Sequence, residues 1–243
     1  MEKKGIGKKG SHVGIVISFV IFIIFLVFVF SILQPKLNFG ENKQSVVDYL
    51  RLELVANFSG NFTTVFVNAT DPTDACVKLS AFLTNASLSS RIIVQNESSV
   101  MQDARVVGND LEINKANMND FFFKVYESDL FSNANSTDIP TCNALAPMQG
   151  YFITLESRET QIFEQSINNS IQNYNKDYNG IKNYFSIAKD TNFGFIFKDN
   201  AGALHQPAFN ISQGVNVYTD EFPILYVGRD GYIKPGFLTI YVW

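Results

Sequence analysis

"KKGSHVGIVISFVIFIIFLVFVFSILQ", residues 8–34, sets two lysines and a glycine against a long uncharged run, and its reading decides where the rest of the chain works. From Val13 to Leu33, 21 residues, no side chain is charged and only Gly14, Ser18 and Ser31 interrupt the apolar series. As a helix that run measures about 31 Å, which matches a hydrocarbon core of roughly 30 Å. The apolar region of a cleaved secretory leader is shorter, about 7–15 residues, and ends at a small-residue cleavage site. Here the run ends in Leu33-Gln34-Pro35-Lys36 instead. The reading is a transmembrane helix over residues 12–34, with His12 a polar flank. Gly14 and Ser18 form a small-xxx-small pair of the kind that lets two helices approach.

Charge sets the orientation. Lys3, Lys4, Lys8 and Lys9 precede the span with only Glu2 against them, so residues 1–11 form a basic leader held in the cytoplasm. The chain from residue 35 onward is then expected outside the cell. Without that leader it carries 15 basic and 22 acidic residues, a net of −7. An acidic exterior argues against nucleic acid as a partner and against docking on an anionic lipid surface.

Two features agree with export. Eight Asn-x-Ser/Thr acceptor sites occur, at Asn57, Asn61, Asn68, Asn85, Asn96, Asn135, Asn168 and Asn210. Composition alone would supply roughly three in a chain this rich in asparagine, so the excess reads as a glycoprotein, with accumulation in an Asn-rich sequence as the alternative. Cys76 and Cys142 are the only two cysteines, both beyond the span. In an oxidising compartment they are expected to pair; a free buried pair is the alternative. Their spacing fits neither a zinc site nor a CxxC motif.

Beyond the span the pattern is α+β. "ENKQSVVDYLRLELVA" (41–56) places Val47, Leu50 and Leu54 at helical spacing, after Pro35 and Gly40, which are expected to kink or break the path. Residues 61–131 read as strands: FTTVFV, CVKLSAFL, RIIVQ, ARVV, LEIN and DFFFKVY, divided by Asn, Asp, Ser and Gly. Residues 132–149 have loop composition. In 156–187, Phe163, Ile167, Ile171, Tyr174, Tyr178, Ile181 and Phe185 recur at steps of three and four, one stripe of a single long amphipathic helix. Two hairpins follow, FGFIF-KDNAG-ALHQPAF and PILYV-GRDG-YIKPGFLTIYVW, the latter turning at Asp230-Gly231. In its last strand Leu238, Ile240 and Val242 face one side. The expected fold is an antiparallel sheet with the long helix laid across it. The expected lobes are a β-rich 35–149 and a helix-plus-hairpin 150–243 packed against it.

Lys8-Lys9-Gly10 followed at once by the span resembles the class III signal of archaeal type IV pilins. The C-terminal pattern resembles single-span surface proteins of small-genome archaea and implies no function. The pilin resemblance covers residues 8–33, about a tenth of the chain. It implies cleavage after Gly10 by a prepilin-type peptidase, with Lys9 and Gly10 as the recognition pair and Ser11 as the first mature residue. It also implies that the apolar helix stays on the mature protein, in the bilayer or against pilin-like subunits. Many pilins carry a Glu at the fifth mature position; here that position is Ile15. The departure points to a minor pilin or pseudopilin rather than a major filament subunit, with a monomeric tethered binding or adhesion module as the alternative.

No catalytic signature accompanies this. The exported part has one histidine, His205, with no serine or cysteine at a recognised spacing. HExxH, G-x-S-x-G and P-loop motifs are absent, and DPTD (71–74) and RDG (229–231) read as turns. No enzyme activity, cofactor or metal is expected, and the ligand of the exported head is left open.

Overall fold

The structure, a computed structural model, describes residues 12–37, 43–70, 74–115 and 117–243. The chain divides into two compact units, one carrying the first helix and one running from Lys43 to Trp243.

The first unit is helix α1, His12–Leu37, 26 residues without interruption. Pro35 falls inside its last turn and does not end it. Exposure is described for Gly14 and residues 16–29, and none of these residues is buried. The stretch predicted to span, 12–34, is wider than this. Over the described residues no helix is long and apolar enough to cross a membrane.

The second unit begins with α2, Lys43–Phe58, whose Val47, Leu50, Leu54 and Phe58 are all fully buried. It runs directly into β1 (Ser59–Ala69). There follow β2 (Cys76–Leu79), α3 (Phe82–Asn85), β3 (Ile92–Asn96), β4 (Met101–Val107), β5 (Asp110–Asn114), β6 (Phe122–Glu127) and β7 (Asn143–Leu145). The remainder is β8 (Tyr151–Phe163), α4 (Glu164–Lys176), α5 (Tyr178–Tyr184), β9 (Phe193–Lys198), β10 (Leu204–His205), β11 (Tyr218–Val227) and β12 (Ile233–Val242). The strands form one 12-stranded sheet in the order β10-β9-β12-β11-β8-β1-β6-β3-β4-β5-β2-β7.

The fold is α+β as expected, but the sheet is mixed rather than antiparallel. β2 pairs parallel with β7, and β8 pairs parallel with β11. The second pairing follows from the connection: β8 and β11 are separated by α4, α5, β9 and β10, long enough for a crossover.

The single long helix is also corrected. Its first eight residues, 156–163, are strand, because β8 is held in register against β1 from Tyr151 to Ile162. The helical part then breaks at Asp177, which leaves helical geometry (φ −148°, ψ 76°) and caps α5 by accepting the Gly180 N–H at 2.8 Å. A Cβ at Gly180 would meet that carboxylate at 2.1 Å, so any other residue there would have to shift the Asp177 side chain. The predicted stripe survives the break: Ile167, Tyr174 and Phe185 are buried in one core, with Ile171, Tyr178 and Ile181 packed on it. A smaller correction falls in CVKLSAFL, where Ala81 turns left-handed (φ 53°) and divides β2 from α3.

Three cores hold the unit together. One joins α2, α4 and the inner face of β9, β11 and β12, including Phe193, Phe195 and Phe197. Leu238, Ile240 and Val242 lie in it, fully buried as the alternation in the last strand requires. A second fills the β1–β7 side around Val65, Val67, Leu79, Leu111 and Val125. The third sits where the two meet, as Phe62, Phe131, Phe163 and Val227. Its rings pack edge-on, Phe62 and Phe163 at 6.0 Å and Phe131 and Phe163 at 5.8 Å. This junction is narrow: β8 and β11 are paired only at Ile162–Tyr226 and Phe163–Val227. The sheet therefore forks into two wings joined at one end of those strands.

Candidate functional site

The open side of β8 within that fork is the most unusual feature of the head. Thr154 through Thr160 are seven consecutive strand residues, all exposed. A paired strand with one buried face alternates between in and out. β8 does not, since one of its sides and both its faces reach solvent. Glu156 and Arg158, two apart and so on one face, pair at 2.7 Å. Beside them is a cleft of about 340 Å³, whose lining includes Asn61, Glu127, Asp129 and Glu159. The surface is shallow and acidic in balance, with Arg158 set among three carboxylates.

A second cleft, about 410 Å³, is lined by Tyr174, Tyr178, Asn192, Phe209, Asn210 and Trp243. Its aromatic floor is structural. Tyr174 donates its hydroxyl to the Phe193 carbonyl, and burial pushes its pKa far above the ordinary phenol value. The Tyr178 hydroxyl accepts the Phe193 N–H at 3.1 Å and lies 3.2 Å from the Asn192 side-chain oxygen.

His205 is engaged by Asp199, with Nε2 at 2.9 Å from the carboxylate. The His205 contact, with N–H donors from Ala203 and Ala201, holds the Asp199 carboxyl below the usual carboxylate range. This is the wiring of a turn between β9 and β10. Among the described residues no group of three His, Cys, Asp or Glu side chains could hold a metal ion.

The predicted processing residues Lys9, Gly10 and Ser11 lie outside the described residues. Cys76 and Cys142 are brought together and bonded, with Cα atoms 4.6 Å apart across 66 residues of sequence. The bridge ties β2 to the loop preceding β7, in the wing that α2 does not cover.

The acceptor asparagines fall into distinct environments. Asn57, Asn61, Asn85, Asn135 and Asn210 are exposed; Asn68 and Asn168 are half-buried. Asn96 is 5% exposed, and its amide is committed inside the fold. Its nitrogen donates to Asp120 at 2.8 Å and its oxygen accepts the Val100 N–H at 2.8 Å. A glycan does not fit there in the folded chain. Asn68 is the opposite case. On β1 it is flanked in register by Phe122 of β6 and Phe152 of β8, which are 40% and 39% exposed. Its amide therefore stands between two exposed rings.

The open side of β8 was hidden in the sequence because its residues read as the first turns of a helix. The signal that marks it is the run TLESRETQ itself, which has no apolar face for either period. No protein-family model, curated protein or solved structure matches the chain.

Proposed function

We propose that the chain is a single-pass, membrane-anchored cell-surface protein of the pilin-like structural kind, a minor pilin or pseudopilin. In this reading its N-terminus is cytoplasmic, α1 is the anchor, and the unit from Lys43 to Trp243 is an exported, glycosylated head. The observation that carries the reading is the surface of α1. From Val16 to Phe28 its large side chains are 41–63% exposed and lie on every side of the helix. A helix with an apolar stripe can be satisfied by one neighbour; a helix apolar all round needs apolar surroundings all round. Hydrocarbon supplies them, and the helix satisfies its own backbone there.

The head supports the same reading. Its two cysteines are joined and no free thiol is left among the described residues, as suits an oxidising exterior. Ile15, where many pilins carry a Glu, favours a minor subunit and also keeps the second reading, a tethered module that does not polymerise.

Intact mass measurement of the N-terminus tests the proposal. A mature chain beginning at Ser11 is expected, and Gly10→Phe is expected to block its appearance. Retention of residues 1–10 in the membrane-bound protein would leave the tether and remove the pilin-like subunit.

A further inference from the structure

From the fork in the sheet we propose that the open edge of β8 pairs antiparallel with the same edge of a second copy of this chain, centred on Ser157. An unpaired strand edge is a template for another strand, and proteins blunt such edges unless they use them. The other edges here are blunted. The terminal strands β10 and β7 have two and three residues. β11, across the fork, carries Pro223, which has no N–H to offer a ladder. β8 is 13 residues long and contains no proline or glycine. Among the described residues its contacts away from β1 are the isolated bridge of Pro147 to Tyr151 and the two-residue pairing with β11, and neither reaches Leu155–Thr160.

The sequence of that edge selects the occupant and the register. In an antiparallel pair, opposed side chains share a face, so a two-fold pair of identical strands must be centred on a residue and not between two. Centring on Glu156, Arg158 or Glu159 sets like charges directly opposite each other, which destabilises a pair. Centring on Leu155 creates no charge pair. Centring on Ser157 places Glu156 of each copy opposite Arg158 of the other, twice, with Leu155 across from the stem of Glu159. The register shift between Phe66 and Val67 of β1 leaves Thr154 without a partner in β1, so the regular stretch of the edge begins at Leu155. Five residues, Leu155 to Glu159, make a modest interface on their own, and confinement of both copies to one membrane raises their effective concentration. The pairing leans on the membrane reading for that concentration alone.

The test is site-directed cross-linking of the full-length chain in its own cell fraction, since the native cysteines are already paired. Ser157→Cys, opposite itself, is expected to give a disulfide-linked dimer on mild oxidation, at least tenfold more than Ser98→Cys at an exposed turn elsewhere. Arg158→Glu in the Ser157→Cys chain is expected to lower the dimer yield about tenfold, and adding Glu156→Arg to restore it. The unfolding midpoint, read by Trp243 fluorescence, confirms that each variant is folded. No Ser157→Cys dimer, an equal yield at Ser98→Cys, or indifference to Arg158→Glu would each overturn the proposal, even if the edge captured some other strand. The distribution of the chain between membrane and soluble fractions is scored separately, so a failed anchor and a failed edge give different results.

Discussion

Helices α1 and α2 are close in the chain and opposite in chemistry. α2 buries Val47, Leu50, Leu54 and Phe58 completely while Leu52, on its far side, is 70% exposed. Arg51 lies over the Phe222 ring at 4.2 Å and reaches Asp220 at 3.6 Å, which fixes that face against β11. α1 has no such division: its apolar side chains from Val16 to Phe28 are exposed on all sides. The same backbone geometry thus carries two different patterns. One helix has a period because it meets protein on one side and water on the other. The other has no period, and the anchored-head proposal accounts for that by giving it the same surroundings in every direction.

The largest effect that could break this contrast is at the α2 stripe. Leu54→Asp removes a fully buried side chain and buries a charge without a partner. It is expected to cost about 5 kcal/mol and unfold most of the head, seen as loss of the cooperative Trp243 transition in urea. If the transition survives within a fraction of that, α2 is not the cover of the C-terminal wing.

The other wing has no helix like α2 and uses a covalent tie. Opening Cys76–Cys142, by the double change to alanine, is expected to cost about 4 kcal/mol from loop entropy alone. The loss should fall first on the β2–β5–β7 edge, visible as faster amide exchange there than in β11 and β12.

On α1 the counterpart of the first change is Ile21→Asp, expected to cost about 3 kcal/mol of membrane insertion. The unfolding midpoint of the head should stay where it is. A shift of that midpoint would mean that α1 packs on protein and the contrast is false.

Smaller effects sharpen the same picture. Asp110 accepts the Ala81 N–H at 2.7 Å and the Lys78 ammonium at 2.9 Å. These two hold its carboxyl below the usual range, the backbone donor first. The sign follows from which form the fold binds. The contribution is full above the unfolded value near 4 and is lost as pH falls through the lower folded value. Asp110→Asn should cost about 1 kcal/mol at pH 7, and flatten the acid side of the stability profile in urea titrations. Leu52→Asp, two residues from Leu54 but exposed, should stay within about 0.5 kcal/mol of the parent.

Much of this fold was legible where a local rule and the tertiary structure agree. The α2 stripe, most of the strands and the alternation of Leu238, Ile240 and Val242 depend only on period and burial. The long helix was misread at both of its breaks for different reasons. Its start, 156–163, has no apolar alternation, because β8 is exposed on both faces over Thr154–Thr160, and the period of strand was invisible there. Its middle break is made by a single cap, Asp177 onto Gly180, inside a stripe that continues across it. The parallel pairing of β8 with β11 is a long-range contact between residues more than sixty apart, and no local pattern specifies it. Of the acceptor asparagines, the motif alone could not separate Asn96, locked by Asp120 and Val100, from Asn68 between two exposed rings. Burial makes that distinction.

The most direct test of the anchored-head account is alkaline carbonate extraction of membranes from cells carrying the full-length chain. The account predicts that the protein stays in the membrane pellet and leaves it only with detergent. Quantitative release into the carbonate supernatant would contradict it, because a helix apolar on every side would then be resting in water.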